Sequence, residues 1–84
     1  MSKVTIYTTG MCPYCFAAKR LLSEKGVEFE EIDVTFSPAK RKEMAEKAGR
    51  TSVPQIWIDE THVGGCDELM ALDRSGGLDS LLAA

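Results

Sequence analysis

The sequence predicts an α/β architecture with a mixed sheet, and three observations carry that prediction. Strand-like and helix-like segments alternate through residues 1–50, two short strands and a helical segment follow, and the Gly and Pro residues fall singly or in pairs between them. At 84 residues, a single domain over 1–84 is expected, near the size at which one apolar core barely offsets lost chain entropy. Apolar residues at 44% and charged ones at 27% are usual for a folded globular chain.

The elements follow in order. Residues 4–8, Val-Thr-Ile-Tyr-Thr, are β-branched and aromatic and run into Gly10, which reads as a strand ending in a turn. From Pro13 to about residue 24, Phe16, Ala17, Leu21 and Leu22 recur at helical spacing, with Pro13 suited to the first helical position and Gly26 to the stop. Residues 27–34 read as a charge-rich strand through Val27, Phe29, Ile32 and Val34. Ser37 and Pro38 cap and start a second helix that runs through Met44 to Ala48 and stops at Gly49. Residues 55–59 and 62–63 form a hairpin around Glu60 and Thr61. The last helix starts near Asp67 and loses its pattern at Gly76-Gly77, after which Leu78, Leu81 and Leu82 allow one or two further turns. The first two strands should be parallel and joined by a right-handed crossover, and ligands in such sheets gather where a strand's end opens into a helix. Cys12 sits at such a place.

Several functions are disfavoured. No apolar run approaches the roughly 18 residues of a membrane span. The opening Met1-Ser2-Lys3-Val4 lacks a charged and then apolar leader, so a cytoplasmic location is expected. A net charge of -3 disfavours nucleic acid, so any anionic ligand must meet local positive charge. Three cysteines, two of them three residues apart, do not form the even framework of a disulfide-stapled domain, which leaves redox or metal chemistry.

A cysteine attacks as thiolate, yet at an ordinary pKa of about 8.5 it is mostly protonated at neutral pH. Cys12, just ahead of a helix, can act as a cap whose sulfur accepts from the N–H groups of Tyr14 and Cys15, and the helix dipole favours its negative charge. Residues i and i+3 on a helical turn lie about 5 to 6 Å apart, within disulfide reach. We therefore expect Cys12 to be exposed and readily ionised, and Cys15 to be more buried and less reactive. A zinc half-site is the competing reading of Cys-x-x-Cys, but a closed site needs four ligands and only Cys66 and His62 remain as further candidates. No metal is expected.

Cys12-Pro13-Tyr14-Cys15 after Val4-Thr5-Ile6-Tyr7-Thr8 resembles the active site of dithiol glutaredoxins. Thr51-Ser52-Val53-Pro54 resembles that family's Thr-Val-Pro turn, and Gly64-Gly65-Cys66-Asp67 its glutathione-binding segment. The resemblance spans essentially the whole chain and is nearest to the small bacterial glutaredoxins of the third type. It implies a thioredoxin fold, a four-stranded mixed sheet ordered β-α-β-α-β-β-α with helices on both faces. It implies a glutathione-dependent thiol-disulfide oxidoreductase in which Cys12 is nucleophile and Cys15 resolves, with a potential of about -200 to -230 mV. Glutathione would be a co-substrate, and disulfide-containing or glutathionylated proteins, ribonucleotide reductase among the candidates, would be the partners of a monomer.

The resemblance also assigns the remaining site. It implies a cis bond before Pro54 that turns the N–H and C=O of Val53 towards the substrate, with Ser52 beside them; residues alone would equally allow a trans proline starting a strand. Gly65, Cys66 and Asp67 would hold the γ-glutamyl end, although the same residues also suit a turn and helix cap. Arg41 is matched to the glycyl carboxylate, while Lys40, Arg41 and Lys42 are also consistent with a solvated face. Tyr14 should line the site. Cys66 is either a small half-buried apolar residue used through its N–H or a regulatory thiol. Thr9 stands where many relatives of this type carry lysine, which leaves activation mainly to the helix terminus, with Lys19 or Arg20 in support. Trp57, Phe29 and Ile58 belong in the core, and His62 on the surface. A dimer sharing an iron-sulfur centre through Cys12 is disfavoured by Pro13, which stiffens the loop.

Overall fold

The structure, a computed structural model, describes residues 2–83; Met1 and Ala84, and what the sequence leads one to expect of them, lie outside the described residues. Strand β1 (Val4–Thr8) leads through Cys12 into helix α1 (Pro13–Glu24), followed by β2 (Phe29–Asp33), α2 (Pro38–Ala48), β3 (Gln55–Ile58), β4 (Thr61–Gly64), α3 (Cys66–Arg74) and α4 (Gly77–Ala83). The four strands form one sheet in the order β2-β1-β3-β4. β1 pairs parallel with β2 and antiparallel with β3, and β3 with β4 is antiparallel, so the sheet is mixed as expected.

Several boundaries differ from the sequence reading: β4 covers Thr61–Gly64 where 62–63 was expected, and β2 ends at Asp33 rather than at 34. β2 starts at Phe29 because the Val27 N–H still closes onto Leu22 O at 3.2 Å, which holds Val27 in the turn that ends α1. β3 stops at Ile58 because Asp59 takes a left-handed turn, φ 54°, where its carboxylate accepts the Lys3 N–H at 2.8 Å. α3 begins at Cys66 with Gly65 as its cap, so Asp67 lies in the first turn and is not the cap. The last helical stretch is two helices broken at Gly76, whose φ of 83° suits glycine.

Alternation along the central strands sends side chains to both faces. On one face Val4, Ile6, Ile56 and Ile58 pack with Ala18 and Leu22 of α1, Leu69 of α3 and Leu78 of α4. On the other, Tyr7 and Trp57 pack with Val34 and with Met44 of α2, the two rings meeting edge to face at 5.3 Å. Helices therefore cover both faces, and each fully buried Ile, Leu or Met contributes about 1.5–3 kcal/mol. Since β3 runs against β1, Tyr7 lies opposite Gln55. The end of β1, the start of β3 and the start of α3 thus converge at one end of the sheet.

Candidate active site

That end carries the cysteines. Cys12 caps α1, its Sγ accepting the Cys15 N–H at 3.2 Å, with Pro13 fixing the first turn. Of the two N–H groups the sequence offers, that of Cys15 makes the bond. The Cys12 thiol also donates to the Val53 carbonyl at 3.7 Å, across the groove. Cys12 is 9% exposed and Cys15 1%. The order of burial is as expected, but Cys12 is not the exposed residue the sequence reading made it, because the 51–54 loop leans over it.

Burial first, then the hydrogen bond with Cys12, pushes the Cys15 thiol up to about 12, against the opposing pull of a Thr9 backbone bond and the Lys19 charge. Cys66, also buried, is raised first by burial and then by the Asp67 charge. The suggested cationic helpers are engaged elsewhere. Lys19 Nζ pairs with Glu31 at 2.9 Å, where Glu31 also accepts from Thr8 Oγ1 at 2.7 Å, and Arg20 pairs with Glu24 at 3.4 Å in solvent. The Thr8 bond and then Lys19 hold the Glu31 carboxyl below its ordinary value.

Facing Cys12 is a groove of about 160 Å³ lined by Tyr14, Ser52, Val53, Pro54, Gly65, Cys66 and Asp67, together with Arg50 and Glu68. The structure thus brings together every residue expected at the site beyond the cysteines except Arg41, whose Nη2 donates to Thr51 O at 3.1 Å, outside the lining. The Val53-Pro54 bond is cis. Tyr14 stands 64% exposed at the rim, and Met11 and Phe36 are nearly fully exposed. A larger hollow, about 690 Å³, lies at the opposite end of β1 beside Val4, Val27 and Phe29, with no cysteine or histidine among the described residues lining it.

Sequence reasoning missed the parts played by Arg50, Gln55, His62 and Glu68. Glu68 accepts from the Gly65 N–H at 2.7 Å and from Arg50 Nη2 at 2.9 Å, and the first of these bonds, then Arg50, lowers its carboxyl. The three-residue step from Gly65 to Glu68 was the available signal, since it is the spacing of a capping box. At Gly64, φ 115°, an added Cβ would lie 2.7 Å from Glu68 Oε1 and 2.9 Å from Arg50 Nη2, so this close approach requires glycine. His62 is half-buried rather than on the surface. Its Nε2 lies 2.8 Å from Oε1 of the buried Gln55, and its ring stacks 4.7 Å from that of Trp57. Burial first, then the Arg50 charge, lowers its pKa. Among the described residues no group of three or more His, Cys, Asp or Glu side chains is placed to hold a metal ion, and no helix is long and apolar enough to cross a membrane.

A sheet of this order, with a Cys-x-x-Cys pair at the head of its first helix, belongs to the thiol-disulfide oxidoreductases of thioredoxin-like fold. The glutaredoxin family model matches residues 4–63. A glutaredoxin of Pseudomonas aeruginosa is 62% identical over 84 residues, all of both chains, and glutaredoxin 3 of Escherichia coli K12 is 58% identical over 82, covering 98% of this chain and 99% of that one. The crystal structure of a buckwheat glutaredoxin-glutathione complex superposes with a TM-score of 0.90 at 26% identity, covering 98% of this chain and 77% of that one. The chain belongs to the glutaredoxin family, resembles the bacterial glutaredoxin 3 type, and is a glutathione-dependent thiol oxidoreductase.

Proposed function

We propose that Cys12 is the nucleophile of this chain, acting on disulfides of proteins and on their mixed disulfides with glutathione, and that Cys15 resolves. The observation that supports this most directly is the bond from the Cys15 N–H to Cys12 Sγ, which favours negative charge on the outer sulfur while the inner thiol stays protonated. The Cys12 thiolate attacks the glutathionyl sulfur of a mixed disulfide, and the protein thiolate leaves and takes up a proton. A second glutathione thiolate then attacks the glutathionyl sulfur on Cys12, forming oxidised glutathione and returning Cys12 as thiolate.

On a protein disulfide, Cys12 forms the mixed disulfide and Cys15 displaces the substrate thiol, closing a Cys12–Cys15 disulfide that two glutathione molecules reduce. Two of the causes that hold Cys15 protonated, the bond to Cys12 and the Cys12 charge, vanish once Cys12 is joined to substrate. Resolution is thereby delayed until there is something to resolve.

Glutathione fits the groove with its cysteinyl main chain on the Val53 N–H and C=O beside Ser52 and Pro54, as an added strand would pair. Its γ-glutamyl carboxylate meets the N–H groups of Cys66 and Asp67 at the start of α3, Gly65 allows the close approach, and the ammonium meets the Asp67 carboxylate. Tyr14 closes the rim, and Arg41, on Thr51 O, offers its remaining N–H groups to the glycyl carboxylate. This reading describes a cytoplasmic monomer whose protein partners are disulfide-bearing or glutathionylated, with ribonucleotide reductase one candidate. A coupled assay with glutathione, glutathione reductase and a glutathionylated peptide tests it. Cys12→Ser should fall to background, and Cys15→Ser should keep the peptide activity while losing reduction of a protein disulfide. Activity in Cys12→Ser would overturn the reading.

A further inference from the structure

Beneath the 51–54 loop runs a chain of hydrogen bonds that the thiol chemistry leaves unused. The side chain of Gln55, 0% exposed, donates from Nε2 to the Ser52 carbonyl at 2.9 Å and to its hydroxyl at 3.3 Å, while Oε1 faces His62 Nε2 at 2.8 Å. A carbonyl oxygen only accepts, so the amide nitrogen must be the atom facing Ser52. Oε1 is then an acceptor turned to His62, whose imidazole must carry a proton on Nε2. The ring is not free to swing away, because it stacks on Trp57 at an interplanar angle of 31°, and Trp57 is its partner across the β3–β4 pair.

This chain ends on the reactive side of the groove. The Ser52 carbonyl and the Val53 N–H belong to one planar trans peptide and point in opposite directions. A Ser52 carbonyl drawn inwards by Gln55 therefore aims the Val53 N–H outwards, and among the described residues no group within the chain takes up that N–H.

We propose that Gln55 and His62 are positioning residues for substrate: His62 orients the Gln55 amide, Gln55 holds the Ser52 carbonyl, and that carbonyl sets the direction of the Val53 N–H that pairs with the glutathionyl main chain. The proposal rests on the reading of Val53 as the docking point. Loss of the His62 donor leaves Oε1 unsatisfied in the protein interior, the amide turns to find a partner, and the loop loses its fixed direction. Binding weakens while the sulfur chemistry at Cys12, held by α1, continues.

His62→Phe keeps an aromatic ring on Trp57 and removes the donor, whereas His62→Gln returns an amide nitrogen at the same number of bonds from the main chain. In the coupled assay His62→Phe should raise KM for a glutathionylated peptide about fivefold, the worth of one neutral hydrogen bond, with kcat and the rate of Cys12 alkylation by iodoacetamide near wild type. His62→Gln should restore KM. The wild type supplies a reading that needs no variant: the ring ¹⁵N shifts of neutral His62 should report a proton on Nε2, and S-methylglutathione should shift the Val53 amide resonance. An Nδ1–H tautomer, an unmoved Val53 amide, an unchanged KM in folded His62→Phe, or a rise in KM that His62→Gln fails to reverse would each overturn the proposal. Absence of glutathione turnover in the wild type would instead overturn the oxidoreductase reading beneath it.

Discussion

The two sides of the groove are made of different material. On the α1 side the groups proposed to carry the chemistry are side chains, the sulfurs of Cys12 and Cys15, and a backbone N–H caps the first of them. On the side formed by the 51–54 loop and the start of α3, the groups available to a ligand are largely main chain, the Val53 peptide groups and the first N–H groups of α3, with Asp67 adding a charge. A sulfur that exchanges electrons has no substitute among other side chains, whereas a wall that reads main chain tolerates changes in the residues that supply it. Substitutions on the two walls should therefore differ in size and kind.

The largest effect should separate the two thiols of the first wall. Iodoacetamide at pH 7 should modify Cys12 of the reduced protein and spare Cys15, which burial and the bond to Cys12 hold protonated up to about 12; peptide mapping that finds Cys15 labelled in the folded protein would break the comparison. The same shift has a sign in stability. Between the ordinary thiol range and about 12 the unfolded chain has lost the Cys15 proton and the folded chain has kept it, so stability should fall as pH rises through that window. Urea midpoints of wild type and Cys15→Ser, measured from pH 8 upwards, should diverge accordingly.

On the second wall, Asp67→Asn removes the exposed carboxylate proposed to meet the glutathione ammonium, and KM for glutathione should rise about fivefold with kcat little changed. Thr9→Lys adds a cation beside the first wall and should speed alkylation of Cys12 and lower KM, each by about two- to threefold for a partly screened charge. The smallest effect should come from Val53→Ala, since the peptide groups remain and only part of a half-buried side chain is lost. A change in KM beyond about twofold would show that the second wall depends on side chains more than the comparison allows.

The fold was legible because its punctuation is local. Pro13, Pro38, Gly26 and Gly49 mark helix ends that the structure keeps, and the Ser37 hydroxyl does cap α2, accepting from Lys40 N–H at 3.3 Å. The cysteine pair and the two segments that face it, 51–54 and 64–67, were legible as well, since each carries its residues within four positions. What escaped was what depends on distant parts of the chain meeting. Cys12 lost its exposure to a loop some forty residues away that closes over it. The bond from the Arg41 guanidinium to Thr51 O likewise exists only once α2 meets the 51–54 loop. His62 gave no sign of its partner, because the bond to Gln55 exists only after β3 and β4 pair.

Lys25, at the end of α1, places its ammonium 2.7 Å from Asp73 and 3.0 Å from Asp79, and so joins three helices. α4 is thus held in two ways, by Leu78 in the core, which dissolved ions do not weaken, and by an ion pair with the largely exposed Asp79, which they do. Raising the ionic strength loosens the second hold and leaves the first. Fraying of the final helix becomes a property of the surrounding electrolyte, while at the other end of α1 the bond from the Cys15 N–H to the Cys12 sulfur, shielded by burial, does not.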